Sequence, residues 1–117
     1  MSKPAFTIRI WSFYLLGLGL ILLLLPNVLL TLFAIPTTDE VWIRVVGMLL
    51  LILAYYCWEA ARLNNLPFIQ WSVPAHASVI FVFIGFVLFK LAPPQLILFG
   101  AVDLLAALWA RATLKTR

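Results

Sequence analysis

The sequence predicts an all-α fold: a polytopic membrane protein whose four transmembrane helices form a single bundle over residues 1–117, with both termini cytoplasmic. Two observations carry this. First, 66% of the residues are hydrophobic and only 10% are charged, with a mean hydropathy of +1.15, whereas a soluble domain carries ~25% charged residues to coat its surface. Second, the apolar residues fall into long runs, with 8 Lys plus Arg and 4 Asp plus Glu almost entirely at their edges. A helix needs ~20 apolar residues to cross a ~30 Å hydrocarbon core while satisfying its own backbone. The runs place spans at about 10–33, with a break at 26, and at 41–62, 68–90 and 94–112.

The first span has no charge between Arg9 and Asp39, and a straight helix over that stretch would reach ~44 Å. It must therefore bend or end. Pro26 removes a backbone donor, so the pattern predicts either a kink there or a crossing that ends near Leu25 and a short interfacial helix from Val28 to Phe33. Pro36 closes the element. Thr37, Thr38, Asp39 and Glu40 then supply hydroxyls and acids suited to start the second helix. In the third span, Ser72 and Pro74 read as a cap and first turn, which puts His76 close to the membrane surface.

Orientation follows from the cations that flank the spans. Lys3, Arg9, Arg62, Arg111, Lys115 and Arg117 gather on one side, against Arg44 and Lys90 on the other. The first group predicts the cytoplasmic face, and so an inner-membrane protein. Trp11, Trp58, Trp71 and Trp109 fall toward that face and Trp42 toward the other, as an aromatic belt would. The first apolar run is longer than a signal-peptide core and has no clear cleavage site, so it reads as a retained anchor. Cys57, the only cysteine, reads as a small buried hydrophobe. The net charge of +4 sits mostly on the cytoplasmic side. That suits an anionic leaflet and gives no reason to expect nucleic acid.

Helices associate in lipid through small residues that let backbones approach and through polar contacts. Gly47, Ala54 and Ala61 share one face of the second span; Gly100, Asp103, Ala107 and Ala110 share one face of the fourth. These two faces are expected to meet each other or a partner. Ser78 and Gly85 mark a further stripe on the third span, and Tyr14 and Gly17 lie one turn apart on the first.

Few residues could carry chemistry. Asp103 falls near mid-bilayer, where an acid costs ~2.5–3.5 kcal/mol on insertion scales and needs a partner or a cavity. Arg44, entering from the same side, is the expected ion-pair partner; the alternatives are a proton or cation carrier and a polar anchor for a ligand or subunit. Glu59 and Arg62 are one turn apart and read as an interfacial pair, and His76 as a hydrogen-bonded anchor or a proton relay. One His and one Cys give no ligand spacing, so no metal or other cofactor is expected. Ser72, His76 and Asp103 have the residue types of a hydrolytic triad but read as lying at different depths. With no phosphate-binding glycine motif either, the chain is not expected to be an enzyme.

The layout of four short spans, the Trp42-Ile43-Arg44-Val45-Val46-Gly47 opening of the second and the lone Asp103 in the fourth resemble the DoxX-like group of small bacterial four-helix membrane proteins. The resemblance spans nearly the whole chain. It implies a bundle fold, no defined reaction, and structural roles for Arg44, Gly47 and Asp103; some members look like accessory or assembly subunits. The leading expectation is an accessory, assembly or stabilising subunit of a larger membrane protein complex. A small homodimeric proton-coupled transporter using Asp103, and a lipid- or quinone-binding protein, are the alternatives. Expected partners are membrane lipids and a larger complex or a second copy of the chain.

Overall fold

The computed structural model describes residues 2–115. All regular structure among them is helical: α1 (Lys3–Leu24), α2 (Pro26–Leu32), α3 (Trp42–Arg62), α4 (Leu66–Leu88) and α5 (Leu96–Lys115). All but α2 are long and apolar enough to cross a membrane, and the protein is a multi-pass, all-α membrane bundle.

α1 starts well before Ile10. Ser2 caps it by accepting a hydrogen bond from the Ala5 amide, and Pro4 sits in its first turn, where no donor is needed. The hydroxyls of Thr7 and Ser12 donate back to the carbonyls of Pro4 and Arg9, so these polar residues are satisfied inside an apolar helix. The break expected at Pro26 is an end rather than a kink. Leu25 leaves helical geometry at φ −139°, ψ 60°, and Pro26 opens the short helix α2.

The Thr37–Glu40 cluster does not cap α3. It lies in irregular chain: the Thr38 amide donates to Asn27 Oδ1 and the Glu40 amide to Thr38 Oγ1, while Val41 precedes α3 without a side-chain cap. α4 is capped by Asn65, whose side chain accepts from the Phe68 amide, so Ser72 and Pro74 lie inside the helix rather than at its start. α5 begins and ends further along the chain than the hydropathy pattern suggests.

Three helices stop without glycine. After α2, α3 and α4 the chain turns through Ala34, Asn64 and Lys90, each at positive φ. At each end the following amide bonds back to a last-turn carbonyl, as in Ile35 to Leu30, Asn65 to Ala60 and Leu91 to Phe86. The glycines have no positive φ; all lie within helices, and Gly19, Gly47 and Gly100 serve close approach instead.

The helices run up and down. Ser2 donates to Asn64, joining the start of α1 to the α3–α4 connection, and at the opposite end Gln95 Nε2 donates to Ala34 O. α1 packs against every other helix, most extensively against α3, while α4 and α5 form the second close pair and α3 barely touches α4. The core lies toward the Ser2–Asn64 end, where Ala5, Ile8, Trp11 and Leu15 of α1 meet Ala54, Cys57, Ala60 and Ala61 of α3 and Ile69 of α4.

The two small-residue faces therefore do not meet each other. The Gly47–Ala54–Ala61 face packs on α1: a Cβ at Gly47 would stand 2.6 Å from Leu23 N and 2.8 Å from Gly19 O. The α5 face packs on α4, where a Cβ at Gly100 would stand 2.9 Å from Ile80 Cα, and Ala107 and Ala110 are buried. The physical reason is pairing in sequence: α1 and α3 form one antiparallel pair and α4 and α5 the other, so each small face is taken up by its own hairpin partner.

Candidate intramembrane polar site

Polar side chains gather where α1, α4 and α5 meet. From α1 come Trp11 and Tyr14, one turn apart, with rings stacked at 4.8 Å. From α4 comes His76, its ring 5.0 Å from that of Trp11. From α5 comes Asp103, half-buried and close enough to Tyr14 to act on it electrostatically.

His76 is deeper than its sequence position suggests. Because α4 begins at Leu66, His76 lies ~15 Å along the helix, near mid-membrane rather than at its surface. Asp103, ~11 Å into α5, is at a comparable level.

This cluster is poor in hydrogen bonds. Trp11 Nε1 and Tyr14 Oη are buried without a partner among the described residues. Asp103 forms no ion pair; the Glu59–Arg62 contact is the one found among the described residues. The Ser72 hydroxyl donates to Ile69 O at 2.6 Å, so it is not presented to His76 as a triad nucleophile would be. No group of three or more His, Cys, Asp or Glu converges among the described residues. The arrangement can hold a charge or a proton, and it brings together too few ligand-type side chains for a metal cage among the described residues.

The expected Arg44–Asp103 pair does not form. Arg44 Nη1 instead donates to Leu23 O at 2.6 Å and to Leu24 O at 3.3 Å. These carbonyls end α1. Pro26 interrupts the helical ladder, and the Val28 amide bonds to Leu25 O instead of to Leu24, so an arginine at the start of the neighbouring helix meets an unfilled acceptor at its own depth.

Glu59 and Arg62 pair locally at the end of α3, exposed as an interfacial couple would be. Arg9, counted from the sequence as a flanking charge, lies inside α1. Its guanidinium stands 4.3 Å over the Trp58 ring, and Phe13 meets the same ring edge-on, which neutralises part of the cost of its depth.

Beside the polar cluster, the α1–α5 seam holds a cleft of about 270 Å³ whose walls include Ile10, Trp11, Tyr14, Val102, Ala106 and Trp109. A second cleft of about 290 Å³ lies nearer the helix ends, among Ser2, Lys3, Phe6, Trp109 and Thr113. The outward face of α4, which lines neither cleft, is bare: Trp71, Ala75, Ser78, Phe81 and Val82 are exposed, and nothing lies within 4 Å of a Cβ built on Gly85.

In the sequence pattern Trp11 reads only as part of the belt and Tyr14 only as a packing neighbour of Gly17, not as members of a polar site. Their separation of one helical turn is the signal that places both on one face. Comparison with family models, with curated proteins and with solved structures finds no match to this chain.

Proposed function

We propose that this protein is a small inner-membrane accessory or assembly subunit, without catalysis of its own, that docks against a larger membrane protein through the outward face of α4. The observation that carries this reading is the uneven use of small residues. Gly19, Gly47 and Gly100 each bring another helix to within contact distance, while Ser78 and Gly85 sit on an open face and Ser78 spends its hydroxyl on its own helix, at Ala75 O. Small residues are what permit close helix approach in lipid. α4 also buries the smallest share of its apolar stretch, 6% against 39% for α1. The DoxX-like resemblance and the scarcity of nucleophiles point the same way, and the excess of cations at the Ser2–Asn64 end supports a cytoplasmic position for that end.

The test is photo-crosslinking in native membranes from Val82, on the α4 face, with Ile52 on α3 as the comparison. One discrete protein adduct from Val82, absent from Ile52 and lost in Gly85→Leu, is expected. Equal adducts from both positions, or lipid adducts alone, would overturn the assignment.

A second reading, a homodimeric proton-coupled carrier, draws on Asp103, the half-buried acid without an ion-pair partner. Flux that continued unchanged in Asp103→Asn would remove it.

A further inference from the structure

We infer that the α1–α5 seam is a binding groove for one anionic phospholipid of the cytoplasmic leaflet, with the phosphate at Lys3 and one acyl chain laid along the seam to Tyr14. The two clefts on this seam share Trp109 as a common wall. Phe6, on the wall of the outer cleft, meets Trp109 edge-on at 6.1 Å, and the proposed chain passes from the outer cleft to the inner one along this shared wall.

Three properties select the occupant. The first is length. From Lys3 to Tyr14 the groove follows α1 for ~16 Å, which matches the ~15 Å depth of one leaflet of a ~30 Å core. A single acyl chain has that reach by construction of the bilayer.

The second is polarity along the groove. The deep segment is walled by Ile10, Val102 and Ala106 and by the rings of Trp11 and Tyr14, whose own polar atoms are buried out of reach. A quinone or other carbonyl-tipped molecule pushed to that depth would find hydrocarbon and no donor, whereas a chain of methylenes matches it.

The third is charge. The rim carries Ser2, Lys3 and Thr113 and no acid. Lys3 is exposed and makes no ion pair among the described residues. Arg111 and Lys115 lie on the opposite side of α5 from Trp109 and Thr113, so among the described residues Lys3 is the cation that faces the groove. A cation above an apolar trench favours an anionic headgroup over a zwitterionic one. On the orientation proposed above from the Lys/Arg bias, on which this leaflet assignment rests, this end meets the cytoplasmic leaflet, the one richer in anionic lipid. The groove lies away from the outward face of α4 and does not depend on the docking role proposed above.

The experiment is native mass spectrometry of the full chain. The protein is reconstituted in bilayers of equal palmitoyl-oleoyl phosphatidylglycerol and phosphatidylcholine, then extracted in mild detergent. The wild type is expected to retain one phosphatidylglycerol in preference to phosphatidylcholine. Lys3→Gln should reduce that preference about fivefold, the effect of one basic residue at a membrane surface. Val102→Trp, which fills the deep segment, should abolish retention of either lipid. Ile10→Trp, which fills it from the α1 side, serves the same purpose if the first variant does not fold. Leu108→Trp, which does not line the seam, should behave as wild type. Wild type without retained lipid, equal retention of both lipids, or equal retention by Val102→Trp and Leu108→Trp would each overturn the assignment.

Discussion

Replacing Gly47 by alanine tests the α1–α3 crossing with a single methyl group. The added Cβ would lie 2.6 Å from Leu23 N, 2.8 Å from Gly19 O and 2.9 Å from Leu22 C, where comfortable carbon contacts are ~3.5 Å or more. All three neighbours are backbone atoms, so no rotamer change relieves the clash and α3 must move away from α1 by ~1 Å. Overpacking of this kind costs ~1–3 kcal/mol. The same displacement pulls Arg44, one turn earlier on the same seam, off the carbonyls of Leu23 and Leu24, each charge-assisted bond being worth ~1.5–3 kcal/mol when fully lost. The better helix propensity of alanine returns ~1 kcal/mol. A net loss of ~2 kcal/mol is expected. The assay is reversible unfolding in mixed micelles as the denaturing detergent fraction rises, followed by tryptophan fluorescence. Gly17→Ala and Gly85→Ala are the comparisons, because nothing lies within 4 Å of a Cβ at either position, and each should gain ~0.5–1 kcal/mol. A Gly47→Ala protein as stable as Gly17→Ala would refute the tight crossing.

The same titration reads three further substitutions. Arg44→Met strands the two carbonyls at the end of α1 and should lose ~1–3 kcal/mol; an unchanged midpoint would mean that lipid headgroups or water serve those acceptors equally well. Asp103→Leu removes an acid without an ion-pair partner from the middle of α5 and should stabilise the bundle by up to ~3 kcal/mol. A loss instead would reveal that the carboxylate is paired. Ala34→Gly relieves the positive φ of 56° after α2 and should gain ~0.5–1 kcal/mol, the left-handed penalty less the extra chain entropy of glycine; a loss would show that the turn is not held in that conformation.

The spans and the interruption at Pro26 were legible because hydrocarbon imposes one length and one hydropathy on every crossing helix, and proline leaves a mark wherever it falls. Helix ends were harder. The usual stop signal is glycine just past the last turn, and here that position holds Ala34, Asn64 or Lys90 while the glycines sit in helix interiors. The start of α1 was hidden because Thr7 and Arg9 look polar in the sequence, and Ser12 follows within the span. The structure satisfies the hydroxyls within the helix and lays Arg9 over Trp58. Of the polar site, Asp103 and His76 were legible as residues but not as neighbours of one junction. Reading Pro74 as a first-turn proline moved His76 toward the surface, although proline is tolerated within membrane helices where neighbouring groups take up the freed carbonyl.

The failure of the Arg44–Asp103 pair has a cause that reaches beyond these two residues. In a bilayer an unfilled backbone carbonyl at a helix end competes with a buried carboxylate for a cation within reach. Pro26 creates such a demand at the end of α1, at the level where α3 begins, and Gly47 holds the two backbones close enough for Arg44 to meet it. Asp103 lies ~11 Å into α5, on a helix whose main contacts are with α4 and α1 rather than α3. The nearer acceptor wins. Arg44 closes the helix end, and Asp103 stays on α5 near Tyr14 without an ion-pair partner among the described residues. Restoring a continuous α1, as in Pro26→Leu, would release Arg44, but it would not bring α3 and α5 together, so the mismatch is a property of the helix order and not of one side chain.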